Sequence, residues 1–209
     1  MLKLTVVPLL LAWLPLRLTL EANLIWQSAL WAHAFVVLTL SLSALCYLGG
    51  WPWVKHLAFP VFFAVVSVPW PYRIEQALVQ NLMRFVAAVT VEVVGFVGIP
   101  ALQHGNLIEI GSGVVGIDEA CSGVRSLQST FMVALFLGEL YQFTVKRRAF
   151  LLGAGFLTAI LGNLGRTFFL VWTAAHHGFA NLEQYHNTAG TIVMLTALGG
   201  VWAIALLLR

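Results

Sequence analysis

The chain has 209 residues, of which 60% are hydrophobic and only 9% charged, with a mean hydropathy of +0.91. An ordinary soluble domain carries about 25% charged residues, so this composition excludes one and specifies a polytopic helical membrane protein. The formal net charge of +3 reflects Lys and Arg flanking apolar runs and gives no ground for nucleic-acid binding.

Residues 4–20 follow Lys3 as a first candidate span, made irregular by Pro8, Pro15 and Arg17. Here a cleavable signal peptide is not expected, because the run lacks a small-residue cleavage site and further spans follow. Residues 24–48 form a cleaner second span. Trp26 and Trp31 near one end and Trp51 and Trp53 beyond the other match interfacial aromatic belts, and His33 within it reads as a packing residue rather than a ligand. Lys55 and His56 fall in a short polar loop. A third run, 57–70, ends at Val68-Pro69-Trp70-Pro71, where two prolines break a helix.

Over residues 72–98, Arg73, Gln76, Gln80 and Arg84 recur at helical spacing, and Ala88 and Glu92 continue the same face. A polar stripe opposite an apolar face suggests a helix lying in the membrane interface; the alternative is a span with a wet inner face. Charge placement favours the interface. Lys146-Arg147-Arg148 is the only basic cluster, and the positive-inside rule puts it in the cytoplasm. With Lys3 and Lys55 on the same side, the third run ends outside. The span starting at Cys121 also begins outside, so the segment between them returns to the side it left.

Residues 99–116 are polar, Gly-rich and partly alternating, and are expected to form a small extracytoplasmic β-hairpin that delivers the chain to Cys121. Asp118 reads as a helix N-cap, with Cys121 in the first turn and Arg125 one turn on. A thiol so placed feels a helix dipole and a guanidinium, which favour thiolate, while Asp118 and Glu119 oppose them. A free Cys is also often just a small buried hydrophobe. Residues 127–143 complete the fourth span, the basic loop turns it, and 150–174 return outward. Arg166 lies 18 residues beyond Arg148, about 27 Å up a helix, near the outer face. A loop over 175–185 holds His176, His177, Glu183 and Gln184, and His186-Asn187-Thr188-Ala189-Gly190 opens the last span. The expectation is one all-α integral-membrane domain over 1–209, with about six transmembrane helices, an interfacial helix and the hairpin.

Cys121, Arg166 and His186 thus fall at one membrane depth. Each has an ordinary explanation: Arg166 could snorkel outward or pair with Glu183, and His186 could be satisfied by its own loop. Together they have the composition of a thiol acyl-transfer site, with a nucleophile, a proton carrier and an oxyanion donor. A structural membrane protein or small transporter remains open; a transporter would want more mid-membrane acids than this chain has, Glu139 being the one deep in its span. Cys46 and Cys121 suggest neither disulfide framework nor zinc site. His176, His177 and His186 share a region without forming a metal set, and no cofactor is expected.

At these residues the sequence resembles the exosortase and archaeosortase membrane transpeptidases. The similarity is carried by Ala120-Cys121-Ser122-Gly123-Val124-Arg125-Ser126, by Asn163-x-x-Arg166 and by His186-x-x-x-Gly190, in that order and with a basic turn between the first two. It covers about 69–209; before Pro69 only apolar spans are shared. The resemblance implies a catalytic set of Cys121, Arg166 and His186, with Arg125, Asn163 and Asn187 in support. It implies substrates that are exported proteins bearing a C-terminal sorting signal: a short motif, a transmembrane helix and a basic tail. Cleavage would occur on the outer side of the cell membrane, with transfer to an acceptor. Asn187 stands where the family often has an acidic residue after the His. The chain has about six spans where many members have about eight, so an N-terminal portion of the family pattern is expected to be absent. A different class of reading is a non-enzymatic membrane subunit of an export or assembly system.

Overall fold

The computed structural model describes residues 2–23, 26–117, 123–180 and 182–209, without the side chains of 2–5, 125, 183 and 184. Helices dominate: α1 (Leu2–Ala22), α2 (Gln27–Val66), α3 (Tyr72–Phe96), α4 (Val124–Leu140), α5 (Val145–His177) and α6 (Leu182–Leu208), with strands β1 (Ala101–His104), β2 (Leu107–Ile110) and β3 (Gly113–Gly116) before α4. The chain packs as two compact units, 1–75 and 76–209.

In the first unit α1 runs unbroken in helical conformation through Pro8 and Pro15. The 40-residue α2 is two arms, because Gly50 takes φ 70° and ψ −165°, a conformation open mainly to glycine. The second arm begins at once, with Pro52 in its first turn, where its missing N–H costs nothing; Lys55 and His56 are therefore helical rather than in a loop. The arms fold back on each other. Trp31 Nε1 near the start of one donates to Pro69 O beyond the end of the other at 2.8 Å, and Gln27 Nε2 donates to Glu75 Oε2 at 3.2 Å.

In the second unit α3 buries one face, Val79, Met83, Val86, Ala87, Thr90 and Val94, while Arg73, Gln80, Arg84, Ala88 and Glu92 are exposed. The stripe is thus real. The helix that carries it is nonetheless continuous for 25 residues, and it is one of four described helices long and apolar enough to cross a membrane, with α2, α5 and the stretch Tyr185–Leu208. The expected hairpin is instead a three-stranded antiparallel meander in the order β1-β2-β3. Two-residue turns at Gly105-Asn106 and Gly111-Ser112 leave room for a third strand that alternation alone read as the tail of a hairpin. Ile108, Ile110 and Val115 point inward and share a core with the α3 face and with Leu170, Val171 and Ala174 of α5. Burial of this kind, at roughly 25 cal/mol per Å² of apolar area, holds the sheet against the C-terminal end of α5.

Helices α4, α5 and α6 form the rest of that unit. A Cβ on Gly155 would stand 2.9 Å from Thr130 and 3.1 Å from Val201, so the three backbones meet closely where small residues permit it. The α4–α5 turn is shorter than expected. Lys146, Arg147 and Arg148 occupy the first turn of α5 instead of a loop. Arg148 donates to Phe143 O at 2.8 Å and pairs with Glu139 at 2.7 Å. Glu139 therefore lies at the end of α4 facing the basic turn, not deep in a span. The α5–α6 connection contracts likewise, from 175–185 to 178–181: His176 and His177 belong to the last turn of α5.

Candidate functional site

The described part of α4 begins at Val124, preceded by Gly123 with φ 81° and ψ 0°. Asp118, Glu119 and Cys121 lie outside the described residues, as does the side chain of Arg125, the second residue of α4. What the structure places is the exit of the Cys121 segment. A Cβ on Gly123 would stand 2.9 Å from Asn163 Cγ, so the backbone just after Cys121 lies directly on the Asn163 side chain. Only glycine satisfies both the left-handed φ and that approach.

Asn163 and Arg166 are one turn apart on α5 and both are buried, at 3% and 9% exposure. The same face turns Arg166 toward α6. Its Nη2 lies 3.0 Å from His186 Nε2, 3.3 Å from Nδ1 and 3.2 Å from the His186 carbonyl oxygen, to which it donates. A guanidinium has no acceptor, so in these contacts Arg166 can act only as the donor. On its other side the guanidinium packs on Gly190, where an added Cβ would stand 3.1 Å from Nη2 and 3.2 Å from Cζ. Phe169 and Tyr185 meet edge to face at 6.1 Å between ring centroids and tie α5 to α6 beside the pair.

These residues open on one cleft of about 250 Å³, lined by Gly123, Ser126, Asn163, Arg166, His186 and Asn187, and closed below by Gly190, Thr191, Val193 and Met194. Residues from all three sequence motifs therefore share a cavity. Thr191 and Met194 escaped the sequence reading, although they continue the face of Asn187 and Gly190 at i+4. Chemically, the cleft offers a fixed cation, an imidazole and amide groups beside the chain that carries a thiol. Such a set can polarise a carbonyl and move a proton.

Compared with known families, the model of the transmembrane exosortase family matches residues 2–203. The match takes in the segment before Pro69, which had looked shared only in its apolarity. No curated protein matches, and neither does any solved structure.

Proposed function

Because this chain belongs to the transmembrane exosortase family, we propose that it is a membrane-embedded cysteine transpeptidase cleaving C-terminal sorting signals of exported proteins on the outer side of the cell membrane. The observation that carries the reading is the contact of Arg166 with His186 in a cleft roofed by Gly123, two residues from Cys121. The basic turn at the start of α5 supports this side: with that turn in the cytoplasm, Arg166, about 27 Å beyond Arg148, lies most of a hydrocarbon core of about 30 Å away from it.

The Cys121 thiolate adds to the peptide carbonyl carbon upstream of the substrate's membrane helix. The carbonyl π electrons move to oxygen, and Arg166 hydrogen-bonds that oxyanion. Nη2 is the donor now spent on His186, so a carbonyl oxygen arriving beside it competes for the same proton and frees the imidazole lone pair. The proton that His186 took from the thiol to form this thiolate goes to the amine as the C–N bond breaks, leaving a thioester. His186 next deprotonates the acceptor, water or an amine, which displaces Cys121 and regenerates the thiol. Arg166 remains charged throughout and cannot serve as the base. Asn163 supports the start of α4, Arg125 supports the thiolate or receives a substrate carboxylate, and Asn187 borders the imidazole at the position where the family often has an acid. In a secreted reporter fused to a motif, apolar helix and basic tail from a surface protein of the same organism, Cys121→Ala is expected to abolish cleavage, and Arg166→Ala and His186→Ala to reduce it at least about 100-fold. Full cleavage by Cys121→Ala overturns the proposal.

A further inference from the structure

We infer that the free edge of β3 is the docking strand for the substrate peptide, which adds to the sheet parallel to β3 and is thereby led to Cys121; this rests on the proposed function. The ladder decides which groups are free. Ile110↔Gly113, Glu109↔Val114, Ile108↔Val115 and Leu107↔Gly116 are the opposed pairs. The closing pair of a two-residue hairpin is hydrogen-bonded, and bonded and non-bonded pairs alternate from there. Gly113 and Val115 therefore spend their backbone groups on β2. Val114 and Gly116 turn theirs to the open side, where they have no partner among the described residues. Natural edges are usually blunted by charge, proline or cover. This one has two valines between glycines, and Gly116 and the Val114 side chain are exposed, the latter at 53%.

Direction selects the occupant. Ser112 Oγ donates to Ala174 O at 3.1 Å, and Gly113 abuts Phe179, so β3 starts at the outer end of α5. Gly123, ten residues on, lies against Asn163, about 16 Å lower along α5. The chain thus descends toward the membrane through Ile117, which is held to Asn106 by two hydrogen bonds, and on to the segment containing Cys121. A substrate whose membrane helix follows its cleavage site runs from outside to membrane as well. Laid beside β3 it is parallel, and its scissile bond arrives after its paired residues, as Cys121 follows β3. Leu107 stands opposite Gly116, 41% exposed, and with Val114 offers apolar contact on one face. The occupant is therefore an extended peptide with apolar side chains at alternate positions.

Gly116→Pro removes an outward N–H without touching the ladder, and its strand position tolerates proline. Gly116→Ala keeps the N–H, and its Cβ meets only Leu107 at an ordinary 3.5 Å. With the reporter described above, Gly116→Pro is expected to lower kcat/KM about tenfold, mostly through KM, and Gly116→Ala to stay within about twofold. Iodoacetamide labelling of Cys121, in a Cys46→Ser background, is expected to be the same in both. Cleavage by Gly116→Pro at the wild-type rate, in a protein that still requires Cys121, overturns the docking strand and leaves the proposed function standing. Labelling lost in step with cleavage overturns it too, since the substitution would then act on the thiol. Cleavage without Cys121 brings down the underlying reaction instead.

Discussion

Gly190→Ala isolates the arginine clamp from the stability of its helix. A Cβ there would stand 3.1 Å from Arg166 Nη2 and 3.2 Å from Cζ, so the guanidinium must retreat by a few tenths of an ångström to restore ordinary contact. Arg166 is only 9% exposed and its Nη2 is already committed to the His186 ring and carbonyl. The retreat therefore comes out of the contact with His186 and out of the position an oxyanion would meet. Outright loss of such a donor costs about 10²–10³ in rate, and about 1 Å of misplacement can cost 10². A shift of tenths is expected to cost about tenfold, and Gly190→Val far more. Stability moves the other way: alanine for glycine inside a helix favours folding by about 0.5–1 kcal/mol, which offsets the new contact. Reporter cleavage in membranes and thermal unfolding in detergent, followed by tryptophan fluorescence, give the two readouts. Wild-type cleavage by Gly190→Ala, or a loss explained by less folded protein, would refute the reasoning.

Gly123→Ala carries both the left-handed penalty of about 1–2 kcal/mol and an overlap with Asn163; it is expected to lower the unfolding temperature and cleavage together, with Asn163→Gly in the same chain recovering part of the stability. Glu139→Gln breaks a pair that is about one-third exposed on both sides, so the change in stability is expected to stay below about 1 kcal/mol and cleavage to be unchanged; a large loss of cleavage would return Glu139 to the mechanism. Arg125→Ala is expected to reduce cleavage less than Arg166→Ala, and the reverse order would move the oxyanion role to α4. Single cysteines at 105, 111 or 179 are expected to react with an impermeant thiol reagent added from outside, and one at 142 only after permeabilisation; the opposite pattern inverts the site.

The helices and motifs were legible because they depend on composition and on period, although four described helices, where about six spans were expected, are long and apolar enough to cross a membrane. Apolar runs declared the helices, and the basic triplet with a rise of 1.5 Å per residue brought Arg166 and His186 to one depth. The turns were misread for a single physical reason. Polarity was taken to mean loop, yet helix ends in this chain are themselves polar: Lys146 to Arg148 and His176-His177 sit inside α5, and Lys55 inside α2. Where a helix stops is set by caps and tertiary contacts more than by hydropathy. The third strand escaped because Gly111-Ser112 is a two-residue turn inside a run already counted as strand, and two short alternating stretches joined by glycine read as one. The turn between the runs 24–48 and 57–70 was legible, but its place at Gly50 was not, since Gly49 before it and Trp51 and Trp53 after it fit a helix end as well as a hairpin.

The spacing His186-x-x-x-Gly190 has a physical reason that the motif alone does not state. Residues four apart on a helix lie on one face, about 5–6 Å between Cβ atoms, and a planar guanidinium needs about that much room to enter flat. With a side chain at 190 the gap on α6 closes; with glycine there Arg166 can reach past the backbone to the imidazole. The same device recurs across the cleft, where Gly123 admits Asn163. The two α5 side chains that line the cleft are thus each faced by a glycine on the neighbouring segment, Asn163 by the start of α4 and Arg166 by α6. The two glycines let α5 bring its polar face close to both neighbouring segments. A cation in an apolar bundle is costly unless enclosed and hydrogen-bonded, and this enclosure is what allows Arg166 to remain at the level of His186 rather than snorkel to the surface. The glycines therefore belong to the site as fully as the charged residues, and replacing either changes where the charge sits before it changes the fold.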